Sequence, residues 1–258
     1  MSVSVKHSPF VPAVIIDVTG LTETLARLGI PYHLGTSVDY FRVASKALQS
    51  AASEMSATAF AALCAETAAF LASDHPNYSR LAAAIELDSL YQRTPGTMTQ
   101  VAKLCPQISS NYRLLLEKYI ADLEPELQQH NDTLFDFFGL RTLIASYLLK
   151  DDDGNVIERP QEMYMRVALA IHKDDLNEVK KLYAALSQHL FTLASPTLFN
   201  AGTIVGQLCS CFMLPIHDDS ITGVYRSLAD AAEISKSGGG IGISISNVRA
   251  KGSMIHST

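Results

Sequence analysis

The stretch 207-QLCSCFMLPIHDDSITGVYRSLADAAEISKSGGGIGISIS-246 decides the fold of the C-terminal part of this chain. Residues 207–214 are an apolar run of strand length and predict a buried strand. Asp218-Asp219-Ser220 then offers a helix N-cap, and Ile221, Val224, Tyr225, Leu228, Ala231 and Ala232 follow at helical spacing. Lys236-Ser237-Gly238 closes that helix, glycine being suited to the left-handed cap. Ile241, Ile243 and Ile245 alternate with Gly242, Ser244 and Ser246, which is strand spacing. Strand, helix, glycine turn and strand make one βαβ unit. Parallel strands belong to larger sheets covered on both faces, so the unit is expected to be completed by a downstream segment or a partner chain.

Upstream of this unit the sequence is helical. Residues 111–123 and 134–149 are rich in Leu, Ile and aromatics. Pro160 sits where a first helical turn tolerates proline, with Met163, Val167, Ala170 and Ile171 continuing. Asp174 or Asp175 can cap the next helix, whose apolar stripe is Val179, Leu182, Leu186, Leu190 and Leu193. Asp151-Asp152-Asp153-Gly154-Asn155 reads as a turn. Nearer the N-terminus, Phe60, Leu63, Cys64, Thr67 and Leu71 recur at helical spacing up to Asp74-His75-Pro76, and a second helix follows with Tyr78, Leu81, Ala82 and Ile85 on one face. Thr94-Pro95-Gly96-Thr97 is a candidate domain boundary. Residues 1–40 are the least readable part, mixing short β-like runs with Gly20, Gly29, Pro31 and Gly35, and no internal repeat is found.

Composition narrows the function classes. Of 258 residues, 48% are hydrophobic and 18% charged, enough for a packed core. A net charge of -6 argues against a protein that grips nucleic acid backbone. No apolar run reaches the roughly 18 residues of a membrane span, and the N-terminus lacks a cleavage-like site, so a cytoplasmic location is expected. Four cysteines are too sparse for a disulfide framework. Cys64 falls on an apolar helix face as a structural thiol, and Cys105 has no partner pattern. No H-E-x-x-H or Cys/His spacing occurs, so no metal site is expected.

Two features bear on chemistry. The run Ser237-Gly238-Gly239-Gly240-Ile241-Gly242 is neither a Walker A loop nor a dinucleotide fingerprint, because it follows a helix and opens a strand. Taken alone it is a helix cap before a strand that needs close backbone approach. The acidic helix start at Asp218-Asp219-Ser220 offers N–H groups and a hydroxyl for an anion, with Lys236 and Arg249 near opposite ends of the unit. Cys209 and Cys211, two apart on the expected strand, would share one face. They suit either a packed core or a redox pair, and spacing alone leaves both open.

Ala194-Ser195-Pro196-Thr197-Leu198-Phe199-Asn200-Ala201-Gly202-Thr203 and Gln207-Leu208-Cys209-Ser210-Cys211-Phe212 together resemble the opening of the catalytic barrel in class I ribonucleotide reductase large subunits. The likeness continues through Asp218-Asp219-Ser220-Ile221, Ile234-Ser235-Lys236-Ser237 and Gly239-Gly240-Ile241-Gly242 to Ile245-Ser246-Asn247-Val248-Arg249-Ala250-Lys251-Gly252-Ser253. Upstream, Phe138-Gly139-Leu140-Arg141-Thr142-Leu143, Ser146-Tyr147-Leu148-Leu149-Lys150, Glu158-Arg159-Pro160-Gln161 and Met165-Arg166-Val167 resemble the family's helical region in its eukaryotic and viral style.

The resemblance implies an α+β to α/β protein: a degenerate ATP-cone over 1–95, a helical domain over 96–193, and over 194–258 the first βαβ unit of a ten-stranded α/β barrel. It implies replacement of the 2′-hydroxyl of a ribonucleoside diphosphate by hydrogen through cysteine-radical chemistry. Cys211 matches the reducing cysteine, which becomes disulfide-linked to a downstream cysteine. Ser195 and Ser210 match substrate-holding positions. Asp219, Ser220, Ile221, Lys236, Arg249, His256 and Ser257 match the allosteric specificity site for ATP or a deoxynucleoside triphosphate.

The implied partners are a metal-containing small subunit that supplies the radical, thioredoxin or glutaredoxin, and a second copy in a dimer. No cofactor is expected to bind this chain directly. The remaining catalytic groups are expected beyond Thr258, so the chain should not turn over alone. The alternative is a non-catalytic nucleotide-binding or regulatory module derived from a reductase. Cys209 stands where the family has a small residue such as Ser. The cone's Lys-Arg-Asp-Gly opening is absent, and Ala57 and Ala61 occupy its nucleotide-contacting Thr and Asp positions, so the overall-activity site is expected to be degenerate.

Overall fold

The computed structural model describes residues 2–6 and 14–254. The N-terminal stretch, whose short β-like runs gave no topology, builds a small sheet. Strand β1 (Ser2–Lys6) is central, antiparallel to β2 (Val14–Asp17) and parallel to β3 (Glu54–Ser56). Val3 and Val5 point from one face of β1 into the core, the period-two signature that two residues are too few to announce. Helices α1 (Val18–Gly29), α2 (Tyr40–Ser50), α3 (Ala57–Phe70) and α4 (Asn77–Arg93) pack beside this sheet. Side chains of Asp17, Asp39 and Ser56 accept backbone N–H bonds at the starts of the first three, satisfying donors that a helix start leaves free. The turn at Asp74-His75-Pro76 separates α3 from α4 as expected.

The second helical region comprises α5 (Met98–Leu104), α6 (Ser110–Leu123), α7 (Phe137–Ser146), α8 (Pro160–His172), α9 (Leu176–Ser187) and the short α10 (Ser195–Asn200). Pro160 occupies the first turn of α8, Asp175 caps α9, and Asp151–Asn155 forms a tight turn flanked by a bridge between Lys150 and Val156. Ten successive residues of α8, Pro160 to Leu169, are buried. Such a helix is surrounded on all sides, and its polar members must find partners inside.

One cluster of buried apolar residues runs from Val3 to Ala201. It crosses the Thr94–Thr97 link, where Arg159 lies over the Tyr91 ring (4.3 Å) and bonds Thr94 Oγ1 (2.8 Å) and the Tyr91 carbonyl (3.0 Å). Gly96 has φ +80°, and any Cβ there would fall 2.7 Å from the Arg159 guanidinium.

Outside that cluster stands the βαβ unit: β4 (Cys211–Pro215), α11 (Ile221–Lys236) and β5 (Gly240–Ser244), the strands parallel neighbours with Cys211 opposite Gly240. Ser220 caps α11 through Gly223 N–H (3.0 Å). At its other end Gly238 (φ +80°) and Gly239 donate to the carbonyls of Ser235 (3.0 Å) and Ile234 (3.2 Å), the paired bonds of a Schellman motif. Three expectations are corrected. The ladder begins at Cys211 rather than 207, leaving Cys209 before the strand, where its N–H is held by Gln207 Oε1 (3.1 Å). Nor is the strand buried: Phe212 and Leu214 are half-covered, while Cys211, Met213 and Pro215 are exposed. An apolar run reports that a face should be covered, not that the cover is present among the described residues. Similarly, Ile245 lies past the end of β5. No helix among the described residues is long and apolar enough to cross a membrane.

Candidate active site

The N-terminal end of β4 brings three of the named groups together. Gly240 N–H donates to the Ser210 carbonyl (2.7 Å), fixing the start of the ladder. A Cβ on Gly240 would stand 3.3 Å from that carbonyl and 3.7 Å from Cys211 Sγ. Ser210 Oγ lies 3.6 Å from the same sulfur. The thiol is therefore flanked by a hydroxyl and a bare backbone, and it faces outward. Immediately beneath, Gly239 is required by packing: a Cβ there would lie 2.6 Å from Ile234 Cγ2 and 2.9 Å from the Phe212 ring. Cys209 does not share the strand face of Cys211. Cys64 and Cys105 are buried, and burial pushes the Cys64 thiol up to about 12.

Ser195 opens α10, its Oγ 2.8 Å from Tyr147 Oη. The segment after it is tied at both ends. Thr197 Oγ1 donates to the Leu208 carbonyl (2.9 Å) and Asn200 Nδ2 to that of Gln207 (2.8 Å), linking α10 to the approach to Cys211. From below, Arg166 donates to the carbonyls of Leu198 (3.1 Å) and Ala201 (2.6 Å) while paired with Glu158 at 2.6 and 3.0 Å. Glu158 also accepts from Leu149 N–H (3.1 Å). No site reading of the sequence singled out this clasp. Its signal was only partial: Glu158 and Arg166 stand eight residues apart with Arg159 and Glu162 between them, and the sequence does not say which of these charges is buried and must pair.

Around the clasp lie further buried polar groups. Asp132 accepts from Tyr91 Oη (2.5 Å) and Gln161 Nε2 (2.7 Å), and burial raises its carboxyl to about 6. Gln161 Oε1 accepts in turn from Tyr183 (2.9 Å) and Ser187 (2.6 Å). Burial raises Glu162 to about 7; its Oε2 accepts from Arg159 N–H (2.8 Å), while its Oε1 has no hydrogen-bond partner among the described residues.

The residues expected at an effector site are only partly brought together. Arg249 joins Asp219, with Nε 2.6 Å from Oδ2 and a terminal nitrogen 3.0 Å from the Asp219 carbonyl, at the N-terminal end of α11. Ser220 caps that helix and Ile221 is exposed beside it. Lys236 sits in the last turn of the same helix, ~24 Å away at 1.5 Å per residue. Within one chain it does not meet Asp219 or Arg249. His256 and Ser257 lie outside the described residues.

Near the N-terminus, a cavity of about 590 Å³ is bounded by the small sheet, α1, α3 and α4. Ala57 and Ala61 line it, among mainly apolar neighbours, and Arg93 is the one cation among its described lining residues. Among the described residues no three His, Cys, Asp or Glu side chains converge as metal ligands would.

Comparison with known proteins matches residues 133–205 to the ribonucleotide reductase all-alpha domain and residues 209–258 to the ribonucleotide reductase barrel domain. A ribonucleoside-diphosphate reductase large subunit from Arabidopsis thaliana is 45% identical over 208 residues, covering 76% of this chain and 25% of that protein. The large subunit of Monkeypox virus is 40% identical over 240 residues, 88% of this chain and 31% of the viral protein. That of Dictyostelium discoideum is 39% identical over 233 residues, 86% and 27% respectively. The chain thus spans between a quarter and a third of the length of these relatives.

Proposed function

Because this chain belongs to the ribonucleotide reductase large-subunit family, we propose that it forms part of an enzyme reducing ribonucleoside diphosphates to deoxyribonucleotides. Ser195 and Ser210 hold the substrate, and Cys211 is one of two reducing thiols. In the net reaction two thiols supply two electrons and two protons: the 2′-hydroxyl leaves as water, hydrogen takes its place, and the sulfurs join as a disulfide. Thioredoxin or glutaredoxin then reduces that bond by exchange. The second cysteine belongs to a part of the enzyme downstream of these residues. A metal-containing small subunit starts the chemistry with a radical, and the large subunit works as a dimer. Asp219, Ser220, Ile221, Lys236, Arg249, His256 and Ser257 form the specificity site for ATP or a deoxynucleoside triphosphate. Because Lys236 is remote from Asp219 along α11, that site needs groups from more than one chain or segment.

The observation that carries this reading is the exposed Cys211 thiol at the start of β4, between the Ser210 hydroxyl and the bare Gly240. Cys209 lacks this setting. In the complete reductase, Cys211→Ser should abolish turnover, because serine cannot cycle through a disulfide, whereas Cys209→Ser should be nearly silent. Mass spectrometry after one turnover without reductant should place a disulfide on Cys211 and a downstream cysteine. A Cys209–Cys211 disulfide, or loss of activity only in Cys209→Ser, would reverse the assignment.

A further inference from the structure

Tyr147 caps the C-terminal end of α7, its N–H bonded to the Leu143 carbonyl (2.9 Å). Its ring is half-buried, tilted 56° against Phe199 with centroids 6.1 Å apart. Its hydroxyl is 2.8 Å from Ser195 Oγ. Both ends of this contact are held. Phe199 and Ser195 belong to the same short helix, α10, which Arg166 grips from inside the core by the Leu198 carbonyl and, just past the helix end, by that of Ala201. A serine hydroxyl otherwise rotates freely, with one donor and two acceptor directions.

We propose that Tyr147 is a positioning residue for the substrate, acting through Ser195. A phenol is a better hydrogen-bond donor than an aliphatic alcohol. Tyr147 therefore donates to Ser195 Oγ, and the serine's own proton is directed outward, to an acceptor oxygen of the bound ribonucleoside diphosphate. The gain is pre-organisation: the serine meets the substrate with its proton already aimed, so less rotational freedom is lost on binding. This inference rests on the assignment of Ser195 to the substrate made above.

The test is a double-mutant cycle in the complete reductase, with KM for a ribonucleoside diphosphate and kcat measured separately. Tyr147→Phe keeps the ring against Phe199 and removes only the hydroxyl. It should raise KM about five- to tenfold, the worth of one modest hydrogen bond, and leave kcat within about twofold. Ser195→Ala should raise KM at least as much, and adding Tyr147→Phe to it should change nothing further. Ser195→Thr, which keeps the hydroxyl, should restore dependence on Tyr147. If Ser195→Ala leaves KM unchanged, the substrate assignment of Ser195 falls and the role of Tyr147 falls with it. If Ser195→Ala raises KM but Tyr147→Phe does not, or if the two effects simply multiply, the inference about Tyr147 alone is overturned.

Discussion

The guanidinium of Arg166 lies against the carboxylate of Glu158, Nε 2.6 Å from Oε1 and a terminal nitrogen 3.0 Å from Oε2, and neither side chain meets solvent. Its remaining hydrogen bonds go to Leu198 and Ala201, in the segment that joins the helical body to the barrel strand. A buried pair of this kind matters most when one member is removed. Arg166→Met should then destabilise the chain by about 3–5 kcal/mol, because a buried carboxylate and two carbonyls lose their partners. Arg166→Met combined with Glu158→Leu should cost clearly less than the two singles added. Urea unfolding midpoints measure this, and additive losses would contradict it.

Glu162 should make stability fall with rising pH. Its carboxyl is raised by burial from 4.5 to about 7 in the folded protein. Between those values the folded state holds a proton that the unfolded state has released, so alkalinity favours unfolding there, and the effect levels off above pH 7. Asp132, raised from 3.8 to about 6, adds a slope of the same sign below pH 6. Glu162→Gln should remove about 1–3 kcal/mol of the loss between pH 5 and pH 8, at 1.4 kcal/mol per unit of pKa. Equal pH slopes in variant and parent would refute the assignment.

Gly239→Ala should disturb the start of the ladder. The added Cβ would meet Ile234 and the Phe212 ring at 2.6–2.9 Å, an overpacking worth about 1–3 kcal/mol. Hydrogen exchange at Gly240 N–H, which bonds the Ser210 carbonyl, should speed up. Gly238→Asn, at φ +80° with open space around it, should do less, since Asn tolerates the left-handed cap. Comparable exchange in both variants would argue against packing as the reason for Gly239.

If the complete reductase responds to dATP, the N-terminal cavity should not govern that response, because its overall-activity site is expected to be degenerate. Its lining carries Ala57 and Ala61 and offers Arg93 as its one cation among the described residues. In the complete reductase, Thr58→Val with Gln92→Leu, both lining residues, should leave the dATP response within about twofold, because a cavity that holds no nucleotide has no hydrogen bond to it to lose, whereas an occupied one would lose about five- to tenfold per bond. A marked relief of inhibition would show that the cavity binds the nucleotide.

What the sequence determined by itself is local. The caps at Asp175 and Ser220, the glycine stop after Lys236, proline in the first turn of α8 and the βαβ order all depend on neighbours within a few residues. The motif strings from Ser195 to Gly242 likewise carried the family, because they are linear. Tertiary structure decided the rest. The N-terminal stretch showed short β-like runs, but their pairing was illegible because β1 meets β3 across some fifty residues, and two buried valines make no period. The separation of Cys209 from Cys211 depended on where pairing with Gly240 begins, which no property of residues 207–214 fixes. The joining of Asp219 to Arg249, and of Tyr147 to Ser195, needed the chain to return across 30 and 48 residues. In the sequence, Glu158 and Arg166 are only two of four charges between residues 158 and 166. Burial made them a pair, because a charge removed from water must find its partner within the protein.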